Sequence, residues 1–115
     1  MEVAEKTRGP SDRDLLYLYN TAGGFAWRNG DRGAAIKYFE QAIQAQTREN
    51  SDPWPIVVMP MTNLALCLHE SGKRKAAKHA IEQAIQIARA MYSPSHPLAV
   101  QCSRVLFHIT RGKKR

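Results

Sequence analysis

The sequence predicts an all-α fold: a short solenoid of helical hairpins, two repeats long, with one extra helix at its C-terminal end. Three observations carry that expectation. The five letters Glu40-Gln41-Ala42-Ile43-Gln44 return at Glu82-Gln83-Ala84-Ile85-Gln86, forty-two residues later. At the same offset Gly30 pairs with Gly72, Ala34-Ala35 with Ala76-Ala77, Phe39 with Ile81, and Pro55 with Pro97. A fixed period in this range marks one supersecondary unit copied and stacked. Finally, apolar residues recur at helical spacing throughout, and no stretch sustains the period-two alternation of a strand.

Five helices follow in order. The first opens at Ser11, which with Asp14 three residues on makes a capping-box variant before the apolar run from Leu15. Its apolar face is Leu15, Leu16, Tyr19, Ala22, Gly23 and Ala26. Gly23-Gly24 in mid-helix costs about 1 kcal/mol per residue against Ala, which points to close approach of a neighbouring helix. Asn29-Gly30-Asp31 is a turn, with Gly30 suited to a left-handed C-cap and Asp31 to capping the next helix. The second helix runs from about Arg32 to Arg48 on a stripe of Ala35, Ile36, Phe39, Ala42 and Ile43. Glu49 to Pro55 is a connector, because its turn formers and two prolines cannot continue a helix.

The third helix follows Pro55. Pro60 either kinks its first turns or delays the regular helix to Met61. Met61, Leu64, Ala65 and Leu68 face inward, and Ser71-Gly72 ends it. The fourth spans about Lys73 to Met91 with Ala77, Ala80, Ile81, Ala84, Ile85 and Ala88 inward. Ser93 to Pro97 is a second connector. The fifth runs from Pro97 to about Thr110 through Val100, Val105, Leu106 and Ile109. The expected organisation is a flexible N-terminus (1–10), a repeat domain (11–111: repeat one 13–54, repeat two 55–96, closing helix 97–111) and a basic tail (112–115).

At 115 residues, 43% of them hydrophobic, the chain is one domain with a modest core. Cys67 and Cys102 sit in apolar runs with no paired spacing, so both are expected as reduced core residues of an intracellular, cytoplasmic protein. No apolar run is long enough to span a bilayer, and residues 1–10 lack the apolar segment of a signal peptide. The formal charge of +7 is uneven: residues 1–50 hold seven Lys/Arg and seven Asp/Glu, while residues 51–115 hold ten and three. A basic second half points to an acidic partner, whether peptide, protein surface or nucleic acid.

These residues resemble the tetratricopeptide repeat. Each unit has two helices, a small residue midway along the first (Gly23, Ala65), a glycine at the turn (Gly30, Gly72) and alanines at two set places on the second (Ala35 and Ala42, Ala77 and Ala84). The usual repeat is 34 residues. The longer period, the prolines opening each new first helix (Pro55, Pro97) and the segment Asn63-Leu64-Ala65-Leu66 are similar to the repeats of the kinesin light chain type. The resemblance covers residues 13–111. It implies a right-handed superhelix whose first helices line a concave groove that binds peptides or a partner's helix. The family's carboxylate-clamp pattern is mostly missing: Asn20, Gly24 and Val105 depart from it and only Asn63 matches, so chaperone tails are not expected ligands.

Transferring the family's groove-facing spacing gives three rows: Tyr17, Asn20, Trp27 and Arg28; Met59, Thr62, Leu66 and His69, with Asn63 beside them; Gln101, Arg104, His108 and Arg111. An aromatic beside a basic end suits an acidic peptide with an apolar anchor. The competing reading is that Trp27 packs between repeats and the Arg/His face is merely solvated. At the end of the stack, Phe107 falls where the earlier units have Gly23 and Ala65. It is expected to dock on a second copy of the chain or on a subunit of a larger assembly. Lys73-Arg74-Lys75, Lys78, His79 and the basic tail form a possible phosphate patch, which makes a nucleic-acid-associated role the alternative. The aromatics that single-strand binding wants are not interleaved there.

Nothing points to catalysis, a cofactor or a metal. His69-Glu70 lacks the second His of a zinc motif, and Cys67 lies about 200° from His69 around a helix. His96 and Cys102 have no third ligand. No phosphate loop or nucleophile elbow is present. The expected function is therefore a non-catalytic protein–protein interaction module.

Overall fold

The computed structural model describes residues 12–47 and 55–112. Those residues form five α-helices: α1 (Asp12–Arg28), α2 (Arg32–Thr47), α3 (Val58–Glu70), α4 (Arg74–Met91) and α5 (Pro97–Gly112). A 3-10 turn, Pro55–Val57, leads into α3. No strand occurs among the described residues. Helices pack in chain order, α1 on α2, α2 on α3, α3 on α4 and α4 on α5. The first helices of successive units also meet, α1 with α3 and α3 with α5. That is the all-α hairpin stack the period predicts. The expected capping residue Ser11 and most of the connector before Pro55 lie outside the described residues.

The two hairpin turns are copies of one another. Gly30 and Gly72 take φ of 83° and 84°, a left-handed conformation that costs glycine little. Each is the C′ residue of a Schellman motif: Gly30 N–H donates to Trp27 and Asp31 N–H to Ala26, as Gly72 does to His69 and Lys73 to Leu68. Asp31 then caps α2 by accepting from Ala34 N–H at 3.1 Å. The second turn has Lys73 at that position and no side-chain cap.

Pro60 neither kinks α3 nor delays it. The helix is regular from Val58, which puts Pro60 within the first turn, where a backbone N–H has no intrahelical acceptor and its loss is free. Gly23 matches its expected role: a β-carbon placed there would lie 2.5 Å from Phe39 Cε1, a ring that is fully buried. Gly24 does not, since nothing stands within 4 Å of such a carbon. The six predicted inward residues of α4 are all buried. On α5 the buried residues are Cys102, Val105 and Ile109, while Val100 is exposed. Cys67 and Cys102 are free and buried in the core.

Burial pushes the Cys67 thiol up from 9.0 to about 11, with the Glu70 carboxylate adding to the rise and Arg32 partly offsetting it. Burial likewise raises Cys102, against a smaller lowering by its hydrogen bond with Thr62. A suppressed thiolate is a poor nucleophile. Both cysteines act here as small apolar core residues.

Candidate functional site

Of the predicted rows, the structure sets Trp27, Arg28 and Asn63 around one cleft, Asn20 against Asn63, and His69 against His108. Between α1 and α3 an open cleft of about 480 Å³ is lined by Gly24, Trp27, Arg28, Phe39 and Asn63. The Phe39 ring lies behind it, fully buried, with Trp27 edge-on against that ring at a centroid distance of 6.3 Å. Gly24 is explained here: without a side chain it leaves the cleft open.

Beside the cleft, polar contacts tie the first hairpin to α3. Trp27 Nε1–H donates to Glu70 Oε1 at 2.9 Å, and Arg32 Nε approaches the same oxygen at 3.4 Å. Asn63 Nδ2 donates to Asn20 Oδ1 at 3.2 Å. Thus Trp27 and Asn20 stitch the first repeat to α3, and Trp27 also lines the open cleft. Glu70 was not singled out by sequence reasoning. Its signal was there: it lies forty-three residues from Trp27, as Asn63 does from Asn20, one step off the repeat period.

Further along the stack His69 of α3 meets His108 of α5 edge-on, with ring centroids 5.1 Å apart. His69 Nδ1 is buried without a hydrogen-bond partner. Arg104, His108 and Arg111 are exposed on α5. The Arg111 guanidinium lies 5.5 Å from the centre of the Phe107 ring, within cation–π range. Tyr17 is 46% exposed near the start of α1. Among the described residues no group of three His, Cys, Asp or Glu is placed to hold a metal ion. None of the described helices is long and apolar enough to cross a membrane.

Thr62 corrects the expected row. It is only 2% exposed and cannot meet a ligand. Its hydroxyl donates to Val58 O at 2.8 Å and lies 3.4 Å from Cys102 Sγ. α3 is the middle first helix, and this position points along the stack into α5. Asn20, the equivalent on α1, points into α3 in the same way. Phe107 stands as expected, 62% exposed. Sequence reasoning missed a second apolar patch on the first hairpin, where Leu18, Phe25 and Tyr38 are exposed; Leu18 and Phe25, two helical turns apart, were its signal.

With that geometry in place, comparison with known proteins is informative. A family model described as tetratricopeptide repeat matches residues 14–90. Over 97 residues the chain is 23% identical to a protein named clustered mitochondria protein homolog from Coccidioides immitis (strain RS). That match takes in 84% of this chain and only 8% of the relative's length.

Proposed function

The chain belongs to the tetratricopeptide repeat family, and on that premise we propose that it is a non-catalytic interaction module whose concave groove takes an acidic or amphipathic segment of a protein partner. One observation carries the reading. The cleft sets the half-buried Trp27 ring beside the exposed cation of Arg28, and exposed Arg104, His108 and Arg111 continue the basic character along α5. An aromatic side chain packs on Trp27, while carboxylates pair with the guanidinium forks. Tyr17, Asn20, Asn63 and His69 complete the proposed contact surface. Thr62 is left out because it is buried.

The partner is a protein, and α5 with Phe107 offers it a second point of attachment in a larger assembly. A cytoplasmic setting belongs to the same proposal and is supported by two buried, unpaired thiols.

The test is binding of a labelled peptide with alternating Asp/Glu and one central Trp, compared with generic RNA across a salt series. We expect saturable peptide binding that weakens at least tenfold in Arg28→Glu and in Arg104→Glu. Tight RNA binding with a steep salt slope, together with no peptide binding, overturns the proposal in favour of a nucleic-acid-associated role.

A further inference from the structure

Among the described residues α5 is packed on one side only. Toward α3 and α4 it buries Cys102, Val105 and Ile109, and on its far side it exposes Phe107 and, two turns earlier on the same face, Val100. Beside this face a cavity of about 420 Å³ opens between α4 and α5, with Ile85, Ala88, Arg89, Tyr92, Ala99 and Ser103 in its lining.

The repeat itself shows what belongs there. One period earlier, the positions of Ile85, Ala99 and Ser103 are held by Ile43, Val57 and Met61. That site is filled, because Ile87 of α4 packs into the same cluster. The equivalents of Phe107 are Gly23 and Ala65, and both are covered. Gly23 is overlaid by Phe39 of its own hairpin, and Ala65 is fully buried in one cluster with Ile81. Sizes run inversely across these pairs: Gly goes with Phe, Ala with Ile. Interiors are filled to constant density, so Phe in the third place leaves room for Gly or Ala opposite.

The character of α5 changes where a further first helix would stand. The positions of Asn20 and Trp27, which reach forward to α3, are Arg104 and Arg111 on α5, both exposed. The end of the stack is therefore apolar where one covering helix would lie and basic where another repeat would begin. Among the described residues of a second copy no helix fits the vacancy. No described helix presents a Gly or Ala with an exposed Val, Leu, Ile or Met six positions on.

We propose that the open side of α5 is a docking site for a single amphipathic helix of a partner protein, antiparallel to α5. It carries Gly or Ala opposite Phe107, an aliphatic side chain six residues later in the cavity lined by Ile85, Ala99 and Ser103, and an acidic first turn beside Arg111. The six-residue step is that from Ile81 to Ile87. A carboxylate in the first turn also suits the helix dipole. The proposal rests on the chain being an interaction module, and its site shares Arg111 with the groove surface but adds Phe107 and the cavity beside it.

The probe is a labelled peptide with the α4 sequence 74–91 carrying R74E, K75E and I81A, added to the full chain and followed by fluorescence anisotropy. We expect saturable binding that falls at least tenfold when the peptide also carries I87D, or when the protein carries F107E or S103R. The groove variant R28E should leave it within twofold. The same peptide tethered to Arg115 by a Gly-Ser linker, at millimolar effective concentration, should raise the melting temperature, and its I87D form should not. The proposal is overturned by a tethered helix that gives no thermal shift, by binding indifferent to I87D, or by loss of binding in R28E but not F107E. Self-association in sedimentation that F107E abolishes overturns it too, since a second copy would then be the occupant.

Discussion

The sharpest test of the packing is Gly23→Ala. In an exposed helix this exchange is stabilising by about 1 kcal/mol, because Ala restricts the unfolded chain and favours the helix. Here the new methyl would lie 2.5, 2.7 and 2.8 Å from three atoms of the Phe39 ring. That ring is fully buried and has Trp27 edge-on against it, so it has little room to swing aside. Overpacking a filled core typically costs about 1–3 kcal/mol, and against a propensity gain of about 0.5–1 kcal/mol the net loss should be about 0.5–2 kcal/mol. For a domain of this size that is a fall in Tm of roughly 4–8 °C per kcal/mol.

The second repeat supplies the repair, since it has Ala65 with Ile81 where the first has Gly23 with Phe39. Phe39→Ile alone removes buried volume and should cost about 1–2 kcal/mol. The double variant should cost clearly less than the sum of the two, with a coupling of about 0.5–2 kcal/mol. Urea and thermal unfolding followed by circular dichroism measure all four proteins. A neutral or stabilised Gly23→Ala, or strict additivity in the cycle, would refute the claim that glycine is set there by Phe39.

Three other outcomes follow from the geometry. Glu70→Ala removes the acceptor of the Trp27 indole, and should cost about 0.5–1.5 kcal/mol with a change in tryptophan emission, whereas a wild-type spectrum would mean the bond is not formed in solution. Thr62→Lys should destabilise by more than about 3 kcal/mol, as expected for an unpaired buried charge, while Arg104→Ala stays within about 0.5 kcal/mol; equal effects would return Thr62 to the surface. For Cys67, both folded and unfolded chains hold the thiol proton below pH 9. Because the buried thiol keeps it to about pH 11, the unfolded chain loses it first as pH rises, and stability should fall by about 2–3 kcal/mol between pH 9 and 11. Cys67→Ala should remove that share of the alkaline loss, and an unchanged alkaline profile in the variant would contradict it.

The fold was legible because the features that carry it are local and repeated. Gly30 and Gly72 announce the same left-handed turn, the alanines of α4 lie on one stripe, and the shared period says that the hairpins stack. Pro60 was ambiguous for a physical reason. Whether a proline near a helix start is harmless depends on where the first turn begins, and the 3-10 turn at Pro55–Val57 settles that. Periodicity also could not separate Gly23 from Gly24. They are adjacent and alike in sequence, yet one meets Phe39 and the other lines the open cleft.

The candidate site was less legible because a repeat offset conserves direction but not surroundings. Asn20, Thr62 and Arg104 occupy one repeat position and all point forward along the stack. Asn20 therefore finds Asn63, Thr62 finds Cys102, and Arg104 is exposed. Chemistry follows these neighbours: an amide pair at a half-open seam, a small hydroxyl satisfied within the core, a cation in water. Each residue suits what stands in front of it, a property of the helix one unit further on. For α1 and α3 that unit lies within the chain. For α5 no such unit stands among the described residues, and the residue types themselves, arginine at the forward positions and phenylalanine at the covering position, become the evidence for what this side of the stack receives. Sequence alone places Phe107 and Arg111 in their register. The filled site around Ile87, one repeat earlier, turns that register into a shape for a partner helix to match.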